Sequence, residues 1–296
     1  MGIGYLGTGE NLKSPELANR DITFIGSTRE ELGLEGAAAV VTGGSKGIGR
    51  AAALCLAEDG ARVCIMARGR TALDETVATL ERAGSPDAFG VSVDLGSADQ
   101  IDAGFRAVGE RWGELNCLVN TIGPKAGHFF ELTDDDFFAH FNVGAMAAVR
   151  CIRAALPLLR KAAWARIVNV SAHSTKRQAP GLVSYTAAKS ALTSISKNLA
   201  RTLAPENILV NTVSPGTFLS AAFTEVLRPI LAEKGIDPED PRAVNRWIAE
   251  EYASGADLGR SGRVEEIGPV IAFLVSRRNS YMTGANVNVD GGSDFS

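Results

Sequence analysis

One stretch near the start of the chain narrows the choice of fold more than any other. An apolar run, AAAVVT (37–42), leads into the glycine-rich turn TGGSKGIGR (42–50), a helical pattern, AAALCLAEDG (51–60), and a second apolar run, ARVCIMA (61–67). Strands that are apolar on consecutive positions must be covered on both faces, as the strands of parallel sheets are. Glycines between a strand and a helix let the backbone turn tightly and let an anion reach the free N–H groups of the helix start. Gly43, Ser45, Lys46, Gly47, Ile48 and Gly49 are therefore candidate contacts for a dinucleotide's phosphates.

The same rhythm continues along the chain. Further strand candidates are AFGVSV (88–93), LNCLVN (115–120), RIVNVS (166–171), ILVNTV (208–213) and ANVNV (285–289), each separated from the next by helical patterns. Ser97 with Gln100, and Thr133 with Asp136, read as capping boxes that start two of those helices. Repeated strand–helix–strand units predict a doubly wound, Rossmann-like parallel sheet in a single domain over 34–296. Residues 1–33 read as an N-terminal extension. An insertion of about 217–260 interrupts the alternation before the last strand, with apolar positions Phe218, Leu219, Phe223 and Trp247. Amphipathic helices there suit either a lid over the substrate or ordinary packing and oligomer contact.

Composition removes several classes of function. A net charge of −4 gives no electrostatic reason to expect nucleic acid or an anionic membrane surface as partner. No apolar run approaches the roughly 20 residues of a membrane span, and the N-terminus lacks a secretory pattern, so a cytoplasmic protein is expected. Four cysteines without CxxC pairing read as buried free thiols, and with three histidines no metal site is expected.

Cofactor choice is read at the end of the second strand. An NAD site needs a carboxylate there for the ribose 2′-hydroxyl, whereas an NADP site needs cations. Here the strand ends Ala67, Arg68, Gly69, Arg70, and Lys46 adds a cation from the turn, which favours NADP(H) over NAD(H).

Taken with VDL (93–95), LVN (118–120), Asn142 and YTAAK (185–189), the glycine turn resembles the short-chain dehydrogenase/reductase family in its compact single-domain branch, similar to 3-oxoacyl-thioester reductases. The resemblance covers roughly residues 34–292. It implies a seven-stranded sheet, a nicotinamide cofactor and a homotetramer or homodimer acting on a small carbonyl or alcohol. It also implies that Asp94 and Leu95 meet the adenine, that Asn120 and Gly123 line the cofactor, and that Asn142 holds a proton-relay water. Pro215, Gly216 and Ser220 would lie beside the nicotinamide. Thr121 and Ile122 depart from the family's pattern.

Tyr185 and Lys189 are four residues apart, hence on one helix face. A phenol titrates near 10, too high for efficient acid–base work, and an adjacent ammonium is expected to draw it down. Tyr185 would then protonate the substrate oxygen, with Lys189 holding the ribose. The Tyr–Lys spacing differs from that of the enoyl reductase branch. The family's substrate-polarising serine stands thirteen residues before the tyrosine, and that position is Ala172. Ser171 through a bulge, Ser174, His173, or Tyr185 acting alone are the alternatives; losing one such donor costs about 2.7–4 kcal/mol in the barrier. The expected function is an NADP(H)-dependent oxidoreductase acting on an apolar or acyl-like carbonyl. The alternative is a dinucleotide-binding sensor or scaffold that has lost catalysis at Ala172.

Overall fold

The computed structural model describes residues 32–252 and 254–294; the expected extension lies almost wholly outside them. The first half runs β1 (Ala38–Thr42), α1 (Gly47–Glu58), β2 (Arg62–Ala67), α2 (Arg70–Ala83), β3 (Ala88–Ser92), α3 (Ala98–Trp112) and β4 (Cys117–Asn120). The second continues with α4 (Asp134–Phe141), α5 (Ala147–Leu159), β5 (Ala165–Val170), α6 (Val183–Leu203) and β6 (Ile208–Pro215). It ends with β7 (Phe218–Leu219), α7 (Ala221–Glu233), α8 (Pro241–Tyr252), β8 (Gly262–Arg263), α9 (Val264–Val275) and β9 (Asn286–Val289).

Seven strands form one sheet in the order β3-β2-β1-β4-β5-β6-β9, every pair parallel. All seven strands expected from the sequence are present. Their alternating side chains feed two cores. Ala39, Val41, Val63 and Ile65 pack on one face with Leu56, Ile267 and Ile271. Ala38, Val40, Cys64 and Met66 pack on the other with Ile101, Phe105 and Ile152. Strand order reverses between β1 and β4, and the crevice beyond the carboxyl ends of such a pair is where doubly wound sheets take ligands.

The expected capping boxes differ. Thr133 and Asp136 make the complete reciprocal pair. Ser97 accepts from the Gln100 N–H, but the Gln100 carboxamide accepts from the Asp94 N–H instead, fastening the turn after β3. From α4 to α5 the helix is continuous through a π turn at Asn142–Met146. This stretch, Asp134–Leu159, is long and apolar enough to span a membrane by length and composition, which corrects the sequence expectation. It opens on three aspartates, and Ala147, Cys151, Ile152 and Ala155 are spent on the sheet's core, as in a core helix.

The insertion between β6 and β9 has a base and a core of its own. Phe218 and Leu219 pair with Gly262 and Arg263 in a two-stranded ladder. Above it Leu231, Val244, Trp247 and Ile248 bury one another, with Leu219, Leu227 and Ile236 packed against them.

Candidate active site

The cradle is built from backbone. Gly43 and Gly47 have φ of 71° and 53°, left-handed values that a side chain would strain. A Cβ on Gly49 would strike the Gly43 carbonyl oxygen, and Thr121 Oγ1 at 2.5 Å. Thr121, a departure from the family pattern, donates to the Thr42 carbonyl at 2.7 Å and so braces the turn against β4. Gly43 N–H donates to the Met66 carbonyl and Thr76 Oγ1 to the Ser45 carbonyl, tying the turn to β2 and α2. No side chain caps the N-terminus of α1, which leaves its N–H groups to a ligand. Lys46, Arg68 and Arg70 are exposed, and among the described residues none has an ion-pair partner. A narrow glycine cradle, an uncapped helix start and three unpaired cations fit a phosphorylated dinucleotide. Ile48 packs against the core, and the Leu95 side chain is buried, so Leu95 has only backbone to offer a ligand. Asp94 is exposed and accepts from the Gly96 N–H.

Across the crevice, Asn120 supports the sheet: its carboxamide oxygen accepts from Thr42 Oγ1, and its nitrogen donates to Asn169 Oδ1. Asn169 in turn donates to Ser196 Oγ on α6. Three residues after Asn120, the backbone of Gly123 lies against the pair. A Cβ there would stand 3.5 Å from the Tyr185 ring and 3.6 Å from Lys189 Cε. The ammonium of Lys189 is fully buried and donates to the carbonyls of Ile122 (2.8 Å) and Val170 (2.7 Å). Desolvation lowers Lys189 to about 7. Tyr185 keeps some solvent exposure, yet the protein crowding its ring desolvates the phenol and pushes it up to about 12. The expected downward pull on the phenol is thus overturned in the protein by itself. The cation is aimed at two carbonyls, and near neutral pH half of it is uncharged.

Asn142 begins the π turn, a helix defect that recurs at functional sites. Its Nδ2 donates to the Gly96 carbonyl at 3.1 Å and its Oδ1 accepts from Arg150 at 2.6 Å. Its main-chain carbonyl already accepts from the Ala147 N–H, so a water held there uses the second lone pair. Arg150 was missed from sequence: eight residues along a regular helix point about 80° apart, and a π turn lies between the two.

The region of the absent serine is now explicit. Ser171 is buried, and its hydroxyl meets the Lys189 carbonyl at 3.1 Å and Thr193 Oγ1 at 2.7 Å, so it faces α6 and is corrected from polarising group to packing partner. Ser174 is buried and accepts from Thr186. Ala172, buried, carries no donor. His173, half-buried between them, places Nδ1 3.1 Å from the Pro215 carbonyl at the end of β6. Gly216 beside it leaves no room for a side chain, since a Cβ would meet Asp290 Cα at 2.7 Å. Ser220 caps α7 through the Phe223 N–H, and its Cβ lies 3.6 Å from where a Cβ on Gly47 would stand, next to the cradle.

Of the apolar positions expected to face substrate, Phe218 belongs to the main core and Trp247 to the insertion's own. A cleft of about 670 Å³ is lined by His128, Phe129, Phe130, Pro180, Val183 and Thr186. It opens on a different face of α6 from the one carrying Tyr185 and Lys189.

A dinucleotide cradle at the switch point of a parallel sheet, facing a Tyr–Lys pair, defines a Rossmann-type oxidoreductase. The chain belongs to the short-chain dehydrogenase/reductase family. The matching family profile, described as enoyl-(acyl carrier protein) reductase, covers residues 43–294. The 3-oxoacyl-[acyl-carrier-protein] reductase FabG of Pseudomonas aeruginosa is 32% identical over 88% of this chain and 98% of its own. The L-sorbose reductase of Gluconobacter frateurii, complexed with NADPH and L-sorbose, superposes with a TM-score of 0.83 at 28% identity, over 89% of this chain and 98% of its own. An NADPH-bound short-chain oxidoreductase of Pseudomonas aeruginosa PAO1, described as containing an atypical catalytic center, gives 0.78 at 28% identity, over 88% and 97%.

Proposed function

We propose that the protein is an NADP(H)-dependent reductase of small carbonyl compounds, with Tyr185 as the proton donor. The observation that carries this reading is the packing of Tyr185 and Lys189 together on Gly123, across the crevice from the glycine cradle. Gly43, Gly47 and Gly49 would hold the pyrophosphate, and Lys46 with Arg68 the 2′-phosphate. When bound, the dinucleotide supplies the hydride. Tyr185 delivers its phenolic proton to the substrate oxygen, and Lys189, with a water on Asn142, returns one. The raised phenol suits reduction, in which Tyr185 must start protonated. NADPH as the ligand of two of the similar structures supports the cofactor. The Tyr–Lys spacing favours a ketone-type carbonyl over an enoyl double bond. Partnership with further copies of the chain is supported by Phe129 and Phe130, both exposed in the lining of the α6 cleft.

The test follows nicotinamide absorbance with a panel of ketones and 3-oxoacyl thioesters. Tyr185→Phe should lower kcat by about 10²–10⁴-fold while NADPH binding, read by fluorescence, persists. Unchanged turnover in that variant would overturn the assigned acid. Tight NADPH binding by the unaltered protein without turnover of any carbonyl would instead make it a dinucleotide sensor.

A further inference from the structure

We propose that His173, as an imidazolium, is the group that polarises the substrate carbonyl, in place of the hydroxyl that Ala172 lacks. The proposal rests on the reductase reading above. Neither neighbouring hydroxyl faces the crevice freely: Ser171 Oγ is engaged with the Lys189 carbonyl and Thr193, and Ser174 Oγ is buried and accepts from Thr186. Thr175 Oγ1 donates to the Ala172 carbonyl at 2.9 Å, which leaves His173 on the turn after β5. It crosses to the carboxyl end of β6, where Nδ1 lies 3.1 Å from the Pro215 carbonyl oxygen. A carbonyl only accepts, so Nδ1 carries the proton there. Nε2 has no protein partner among the described residues and is not buried away from solvent. In the neutral ring this nitrogen is therefore bare and can only accept. A second proton turns it into a charged donor, and a charge-assisted donor is the stronger kind.

In the step served, hydride adds to the carbonyl carbon, the C–O π pair moves onto oxygen, and that oxygen takes the Tyr185 proton. The carbonyl is reduced and the dinucleotide oxidised by the same two electrons. His173 keeps both protons and stabilises the charge as it builds. A serine does this at any pH, whereas histidine does so only below its own titration. The charged and titratable groups around it are Lys176 and Arg177 on its loop and Tyr185 and Lys189 on α6. Asp290 and Asp294 follow β9, and Lys125 and His128 follow β4. Two of these are already engaged, Lys176 with Asp294 at 3.4 Å and Arg177 with the Ser293 carbonyl at 2.9 Å.

Four proteins test the proposal on one reducible carbonyl: the unaltered chain, His173→Phe, Ala172→Ser, and the double variant. His173→Phe should lower kcat about 10²–10³-fold with KM changed far less. For the unaltered chain kcat should fall as pH rises. The double variant should regain at least about tenfold over His173→Phe and lose that fall, because a hydroxyl donor has returned. An independent readout needs no turnover: ¹⁵N NMR of labelled protein should place the neutral ring's proton on Nδ1. Turnover of His173→Phe within about threefold of the unaltered chain, no recovery in the double variant, or a neutral ring protonated on Nε2 would each overturn the proposal. Tyr185→Phe separates the two readings: its inactivity beside a fully active His173→Phe sinks the histidine alone, whereas its full activity sinks the reductase mechanism.

Discussion

Lys189 and Tyr185 perturb each other less than their own burial perturbs them. Lys189 titrates near 7 in the folded protein against an ordinary 10.5, so between those values the unfolded chain holds a proton that the folded one does not. Stability therefore rises with pH across that window and is lower by a constant amount below it. Tyr185, raised from 10 to about 12, acts in the opposite sense, so its contribution fades between pH 10 and 12. Denaturant melts of the cofactor-free protein should show the unaltered chain gaining on Lys189→Met from pH 7 to 10; a flat difference would mean that the buried amine stays charged. The pair was legible from sequence because four residues is one helical turn. The direction of its titration was not, since that depends on burial of both groups by residues distant in sequence, which desolvates the amine and the phenol alike. Strand alternation sets Ser171 opposite Ala172, and without a bulge its hydroxyl turns to α6.

Elements were legible wherever one rule governed them. Strands β1, β2 and β4 announced themselves because both faces are buried, making them nearly unbroken apolar runs, whereas β9 (NVNV) is half-buried and alternates. β7 and β8 escaped notice, being two residues each, with partners more than forty positions apart. Arg150 escaped because the π turn at Asn142 disturbs the helical count between them. The glycine turn supplies a sharp test of close packing. Gly49→Ala would force a methyl into the Gly43 carbonyl and Thr121, so NADPH affinity should drop at least about tenfold and the melting temperature with it. Gly69→Ala, at the start of α2 with open space around its Cβ position, should leave both within error or raise stability slightly. Equal effects from the two would show that crowding at the cradle has no part in binding.

At the scale of the whole molecule, one feature points outward. Phe129 is 62% exposed and Phe130 97%, their rings edge to face in the lining of the α6 cleft. Single exposed aromatics are ordinary, but a contiguous group marks a surface that another protein covers. Sedimentation should accordingly give a multiple of 31.1 kDa at micromolar concentration, and Phe130→Asp should shift it toward that unit mass. A monomer throughout would reject self-association by this surface. The insertion carries a different lesson. Its two ends are stitched side by side by Phe218–Leu219 and Gly262–Arg263, so the distance between them is fixed whatever lies at the far tip. Lengthening the bend at Gly235, whose surroundings are open, changes closure entropy only logarithmically, about 0.6 kcal/mol per doubling. Four added glycine and serine residues there should leave folding and turnover intact, and the tip becomes a place where relatives of this chain are free to grow new contacts without retuning the chemistry beneath.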